Sequence, residues 1–448
     1  MIIIASHVNL DFDGLASMNK NIKIPSKNTR VTMRNLAPQL LDVLLIFSRL
    51  ADQLGIKAYL VGGAVRDLLL NIPSLDVDIV VEGDGIDFAH NIKRFLDAEV
   101  VDHERFGTVT LLFPSKVKVD VASARREYYE YPAALPQVEA AELKEDLCRR
   151  DFTINAMAIQ LNGKKWGSLI DFLGGYSDII NKKIRVMHNF SFIEDPTRIL
   201  RAVRFEGRYG YQMEPTTERL AMDHQALVAV AKLSGVRIWA ELSALFAQTK
   251  PSQSLNRLFE LGVLEVILPG LYFDQDLRSL LIQLEGLLED YPGVKEQIDH
   301  PIIYLGCLVH RWSKVQVISL GKKFGLSKQN IRKLIKISQI KSINLPVSQC
   351  NMINLHEVFQ GWPDEAVVFL IAAQREINTG LAIKYVQQRK SATSFISGQD
   401  LVGLGISPGP RIKEILKLLE GACLDGLITN REEAVSFSRS LIIQTGGN

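Results

Sequence analysis

Cysteine is scarce in this chain. Its four copies among 448 residues, Cys148, Cys307, Cys350 and Cys423, stand far apart with no CxxC pair. That scatter argues against a zinc site and fits a reducing compartment. No apolar run approaches the ~18 residues a membrane span needs, so no membrane partner is expected. The opening MIIIASHVNLDFDG lacks the basic leader and long apolar core of a signal peptide, which makes cytoplasm the expected location. One-sided charge is missing too. At a formal net +2, any nucleic-acid contact has to come from local clustering. Low-complexity tracts and fixed-period repeats are absent. His300 and His310 sit ten residues apart in apolar context without ligand spacing, so neither is expected to hold a metal. What remains, 47% apolar and 23% charged, is the composition of a globular protein, and its length predicts about two to four domains.

The most informative stretch is YLVGGAVRDLLLNIPSLDVDIV, from Tyr59 to Val80. A short apolar strand runs into Gly62-Gly63, a helix carries Arg66 and Asp67, and a second strand presents Asp76 and Asp78. Strand side chains alternate, so the two aspartates share a face about 7 Å apart. Paired carboxylates suit a hard divalent cation such as Mg²⁺, which shares its oxygen ligands with phosphates. A glycine pair at a strand-to-helix turn lets backbone N–H groups approach a phosphate. The pattern predicts a metal-dependent enzyme acting on a nucleoside triphosphate.

Strand-like runs follow at 75–81, 99–102, 108–113 and 116–122, giving a mixed α/β unit that ends near Asn162. Beyond Asp171 the strand signals fade and amphipathic helices with short polar breaks take over, among them 196–209, 216–231, 236–249 and 276–288. The expected architecture is an α+β head on a long all-helical trunk.

Asp120, in KVKVDVASA, could supply a third carboxylate from a neighbouring strand and complete a two-metal clamp; a solvated edge charge is the alternative. Arg149-Arg150-Asp151 can place guanidinium forks on phosphate or ribose oxygens. Glu194-Asp195-Pro196-Thr197-Arg198 opens a helix, where Asp195 either caps or joins Arg198 in reading one planar ligand. Arg donates only and Asp⁻ accepts only. Together they match the pairing edges of cytosine and adenine and oppose those of guanine and uracil. Arg201, Arg204 and Arg208 continue that helix, where they could hold the triphosphate or bracket Arg198, with a solvated face as the alternative for Arg208. KKFGLSKQNIRKLIKISQIK gathers Lys322, Lys323, Lys328, Arg332, Lys333, Lys336 and Lys341, and no acids. It reads either as an RNA-backbone site or as a solvated helix face. SGQDLVGLGISPGPRIKEIL reads as a phosphate grip or, more simply, a turn.

LVGGAVRD…DVDIV, DVASARREYYEYP, LCRRDFTINAMAI and IEDPTRILRAVRF, in this order, resemble the class II tRNA nucleotidyltransferase and bacterial poly(A) polymerase superfamily. The resemblance is specific over residues 56–245 and looser beyond. It implies an N-terminal extension (1–36), a nucleotidyltransferase head of the polymerase β-like type (37–165), a helical neck (166–250), a helical body (251–345) and a helical, tRNA-binding tail (346–448). Asp76 and Asp78 would be the metal pair, with Mg²⁺ as two ions and Mn²⁺ as a substitute. Gly62, Gly63 and Arg66 would lie in the triphosphate-binding turn. Arg150 and Asp151 would meet the ribose, Asp195 and Arg198 the base, and Arg201 and Arg204 follow the same pattern. Arg237 and Glu241 resemble the neck's supporting helix. The implied partners are the tRNA 3′ end and ATP, with CTP as a second donor and no required protein partner.

Two departures bear on specificity. CCA-adding members often carry a YxDxRRP-like loop before RRD; here residues 127–132 read EYYEYP, without the basic half, which leans toward the branch that adds only the terminal A. Residues 6–14, SHVNLDFDG, resemble the first motif of DHH-type phosphoesterases through His7, Asp11 and Asp13, as a vestige without assigned catalysis. Full CCA addition, CC addition, poly(A) polymerisation, a DHH-type phosphoesterase and a non-catalytic RNA-binding protein are the alternatives.

Overall fold

The computed structural model describes residues 31, 36–103, 107–128, 137–340, 352–374, 378–389 and 395–444. The 6–14 motif, the 129–132 half of the specificity loop and Lys341 lie outside the described residues. The chain divides into two compact units, Met1–Leu233 and Ser234–Asn448, and the division falls inside the 166–250 stretch.

In the first unit, α1 (Pro38–Leu54) buries Leu40, Leu44, Phe47 and Ala51 at helical spacing and ends on Gly55 in the left-handed conformation. β1 (Lys57–Val61) follows, then α2 (Gly63–Leu69), β2 (Asp76–Glu82) and α3 (Gly85–Lys93). The Asp84 carboxylate caps α3 by accepting from the Ile86 and Asp87 N–H groups. β3 (Glu99–His103), β4 (Thr108–Leu112) and β5 (Lys118–Ser123) complete one half of the sheet. The hairpin β6 (Arg125–Tyr128) and β7 (Gln137–Ala140) leads into α4 (Leu143–Cys148). β8 (Ala158–Gln160) and β9 (Leu169–Ile170) return to the other edge.

The seven strands order as β3-β4-β5-β2-β1-β8-β9. Within this sheet, among the described residues, only β2 and β5 pair in parallel, which is why the α3–β3–β4 excursion must separate them. β1 and β2 sit at the centre, with Leu60, Val61, Ile79 and Val81 fully buried. Their polar residues therefore cluster where the strand ends open to solvent, and that edge carries the candidate chemistry. α5 (Thr197–Tyr209) packs beside this edge through Phe205, whose ring meets Phe152 edge-on at 5.7 Å.

The second unit is helical throughout its described residues. His300–Val309 is a deeply buried helix, with every residue from Ile302 to Val309 inside. That helix has no polar face and hence no amphipathic period, which is why helical periodicity alone does not flag it. The expected 216–231 helix is two helices, Pro215–Ala221 and His224–Ala231, because Asp223 caps the second. Strand structure also continues past Asp171, in a two-stranded pairing of Lys183–Ile184 with Gln212–Met213.

Candidate active site

Register places the acidic residues. Across the β2–β5 pairing, Asp76 lies opposite Lys118 and Asp78 opposite Asp120. The Lys118 ammonium sits 2.7 Å from Asp120 Oδ2 and 3.4 Å from Asp76 Oδ1. Thr110 Oγ1 donates to Asp120 Oδ1 at 2.5 Å. Asp120 is thus held on both oxygens by its own strand neighbours. Among the described residues no group of three or more His, Cys, Asp or Glu is arranged around one point. Asp120, the expected third carboxylate, faces Asp78 in register and also pairs with Lys118. Asp78 reaches solvent, yet the protein around it desolvates its carboxyl and raises its pKa; Arg150 opposes this, and Asp120 and Asp76 add to it. Two all-oxygen carboxylates with surplus negative charge fit a hard divalent cation that takes its remaining ligands from phosphates and water.

Behind this pair, Gly62 has φ +69°, and a Cβ there would lie 2.5 Å from Arg150 Nη1 and 3.5 Å from Asp78 Oδ2. Glycine is required at this turn by both conformation and space. Arg66 lies alongside Gly63, but its guanidinium turns inward. Nε donates to Asp67 Oδ1 at 2.9 Å, Nη1 donates to Asn155 Oδ1, and Cζ lies 4.8 Å from the Tyr209 ring centre. With acceptors that close, it braces the turn and presents no free cation to a phosphate.

Arg149 and Arg150 converge on Asp146, which is fully buried. Asp146 Oδ1 accepts from Arg149 Nη2 at 2.7 Å and Oδ2 from Arg150 Nη2 at 3.0 Å. Burial raises the Asp146 carboxyl, but the two guanidinium charges and their hydrogen bonds outweigh it and hold the pKa low. Asp151 is treated alike: burial raises it, and Arg201, Asn155 and the Phe152 N–H bring it below the ordinary range. Arg201 Nη2 donates to Asp151 Oδ2 at 2.6 Å, and Asn155 Nδ2 to Oδ1 at 2.9 Å. Asp146 and Asn155 were not among the expected site residues. The i, i+3 and i, i+4 spacing of Asp146 to Arg149 and Arg150 was the available signal.

At the start of α5 the Asp195 carboxylate accepts from the Thr197 N–H at 3.1 Å and the Thr197 hydroxyl at 2.6 Å, a capping role. Arg198 is only 5% exposed. Its Nη2 donates to the Arg149 carbonyl at 3.0 Å, and its buried Nη1 has no hydrogen-bond partner. Arg198 lines a cavity of about 430 Å³ together with Arg149, Cys148, His188, Glu194 and Glu127. A buried donor left unmatched on a cavity wall is an invitation to a ligand acceptor. Arg204 and Arg208 stack over Phe205 and Tyr209, each 5.1 Å from the ring centre.

In the second unit, α6 (Lys328–Ser338) carries the basic stripe. It packs against α7 (Asp364–Ala373), which packs in turn on α8 (Thr379–Gln388). Arg332, Lys333 and Lys336 line a cavity of about 510 Å³ with Trp362, Tyr385 and Arg389. Lys333 is not a solvated charge: its ammonium lies 2.8 Å from Glu365, an acid supplied by α7 from outside the stripe. Lys336 sits 3.7 Å over the Trp362 ring. Lys328 and Arg332 form no ion pair among the described residues. The 397–410 stretch reads as helix punctuation, with Ser397 in a capping box before Gly398–Gly403 and Pro410 opening the next helix.

Residues 58–185 match the poly A polymerase head domain, and 210–274 match a probable RNA- and SrmB-binding site of polymerase A. The A-adding tRNA nucleotidyltransferase of Halalkalibacterium halodurans is 35% identical, over 89% of this chain and 92% of its own length. The chain belongs to the tRNA nucleotidyltransferase family. Another A-adding relative, from Geobacter sulfurreducens, is 34% identical over 90% of this chain, which spans only 47% of that longer protein. The Thermotoga maritima CCA-adding enzyme complexed with tRNA superposes with a TM-score of 0.73 at 30% identity, covering 93% of this chain and all of that one. The mixed-sheet head and helical remainder are thus those of a family of enzymes that generally depend on divalent metal. No helix among the described residues is long and apolar enough to cross a membrane.

Proposed function

We propose that this protein extends the 3′ end of tRNA from ATP, and from CTP as a second donor, without a nucleic-acid template, with addition of the terminal A as the favoured reaction. The observation that carries the reading is the unmatched Nη1 of buried Arg198, a residue that lines a cavity together with Arg149 of the Arg149–Arg150–Asp151 cluster. The A-adding relatives support the branch, while CC-adding and CCA-adding relatives keep the alternatives in view.

Asp76 and Asp78 would hold Mg²⁺, as two ions with Mn²⁺ as a substitute, which would neutralise triphosphate charge and lower the pKa of the attacking 3′ hydroxyl. Around that centre the chain's own groups orient the nucleotide. The Gly62 N–H is given to the Met157 carbonyl at 3.3 Å, which leaves Gly63 to open α2 toward a phosphate, and Arg150 stands over Gly62 to meet phosphate or ribose oxygens. Asp151, held by Arg201 and Asn155, is placed to accept a sugar hydroxyl. Arg198 gives its unmatched N–H to the base, with Asp195 beside it at the start of α5. A base offering N–H where Arg198 needs an acceptor leaves two donors opposed, at a cost of about 1–3 kcal/mol. Lys328, Arg332 and Lys336 in the second unit supply cations for the tRNA backbone, and Lys333 steadies the fold.

The test combines Mg²⁺ and separately labelled ATP or CTP with tRNAs ending before CCA, after C and after CC. Incorporation of A onto the CC-ended tRNA alone is the expected result. Incorporation of both nucleotides would move the assignment to CCA addition, and long tails on generic RNA would make it a poly(A) polymerase. No incorporation on any substrate would overturn the enzyme reading.

A further inference from the structure

We propose that Asp146 is a positioning residue that couples the phosphate end of the nucleotide site to its base-reading end. This rests on the roles given above to Arg150 and Arg198. Asp146 is the last acidic residue before the arginine pair and touches both members of it directly. Its Oδ2 fixes Arg150, the guanidinium that stands over Gly62 and faces Asp78. Its Oδ1 accepts two hydrogen bonds from Arg149, from Nε at 3.0 Å and Nη2 at 2.7 Å, a forked, charge-assisted grip. Oδ1 also lies 3.4 Å from the Arg125 N–H at the start of β6.

The second half of the coupling runs through the backbone. The Arg149 carbonyl accepts the Arg198 Nη2 hydrogen bond, so the side chain that aims at the base is indexed to the residue that Asp146 clamps. Glu127 takes the remaining arm of Arg149 at 2.8 Å and ties the same cluster to β6. One carboxylate therefore sets the position of two arginines directly and of a third through one peptide group. A buried charge pair could serve stability alone. The arrangement here asks for more, because Arg150 and Arg198 each keep a buried N–H without a partner: Nε of Arg150 and Nη1 of Arg198. Groups clamped on one side and unmatched on the other are poised for a ligand, and outer partners of this kind hold site residues to the tolerance chemistry needs.

The test uses the full chain with Asp146→Asn and Asp146→Glu, assayed for ATP KM, for incorporation of ATP against GTP, and for tRNA affinity. The amide keeps the shape, loses the charge and turns an N–H toward a guanidinium. The longer acid keeps the charge and shifts Arg150 and Arg149 together. Asp146→Asn should raise ATP KM about tenfold and lower discrimination against GTP by a similar factor, the scale of one charge-assisted hydrogen bond. Asp146→Glu should show the same two effects at about threefold. Affinity for tRNA should stay at the wild-type value in both. Wild-type KM and base choice in whichever variant folds would overturn the proposal, as would loss of tRNA affinity in step with KM, which is what a general folding defect produces. Arg150→Gln and Arg198→Ala, run alongside, separate the two layers. If neither changes KM or base choice, the site reading fails; if they do and the Asp146 variants do not, only the coupling fails.

Discussion

In the unit Met1–Leu233, Arg149, Arg150 and Arg201 each end on a buried or nearly buried carboxylate, and Arg66 is stacked and hydrogen-bonded on every side. In the unit Ser234–Asn448, Arg332 and Lys328 face outward with no ion pair among the described residues. The charges are alike and the restraint is opposite. Reading a nucleobase requires guanidinium groups held to a fraction of an ångström, which tethering provides. Gripping a polyanion needs only local positive potential and tolerates loose side chains. Lys333 marks the boundary between the two behaviours: it lies in the outward stripe yet is tethered to Glu365 like a residue of the head.

The sharpest way to break this comparison is to remove the acidic pair. Asp76→Ala or Asp78→Ala should cut transfer on the order of 10³-fold or more, the scale of several kcal/mol of lost charge stabilisation, while tRNA affinity by filter binding stays near wild type. If affinity falls with transfer, the division of labour between the units is wrong. Next in size is Lys333→Met, which leaves Glu365 buried without its ammonium and should lower stability by roughly 3–5 kcal/mol in urea unfolding. A loss within error would return Lys333 to the solvated stripe. Arg198→Ala should relax base choice about ten- to hundredfold in competition between ATP and GTP, and unchanged choice would refute reading of the base by this side chain.

A smaller effect is expected from the tether at Asp151. Its carboxyl lies below the ordinary range in the folded protein, so its stabilisation is complete above the unfolded-state pKa of about 3.9 and is lost as pH falls through the lower folded value. Wild type should therefore exceed Asp151→Asn in urea midpoint at pH 6, and the gap should narrow below about pH 4. A gap that widens on acidification has the wrong sign for this account. Smallest of all, Arg332→Gln with Lys336→Gln should weaken tRNA binding several-fold, with ATP KM unchanged. The salt slope should become shallower by roughly 0.7–0.9 for each phosphate no longer neutralised.

The parts of the fold readable from the chain were those where chemistry and local geometry coincide. Tyr59–Val80 announces a strand, a glycine turn and a carboxylate pair within about twenty residues, and the sheet register sets Asp78 against Asp120. What stayed hidden depends on partners distant in sequence or on burial from all sides. Nothing near Lys333 points to Glu365, 32 residues on. The inward turn of Arg66 is decided by Asn155 and Tyr209, 89 and 143 positions away in the chain. The helix His300–Val309 is apolar on every face and so offers no period to count.

The central claim is that tethered groups of the head bind one nucleotide between the aspartate pair and Arg198. A crystal structure with Mg²⁺ and a non-hydrolysable ATP analogue addresses it most directly. The account predicts the triphosphate at Asp76, Asp78 and the Gly62–Gly63 turn, with the adenine accepting a hydrogen bond from Arg198 Nη1. A triphosphate bound away from residues 76 and 78, or an adenine out of reach of residue 198, would contradict it.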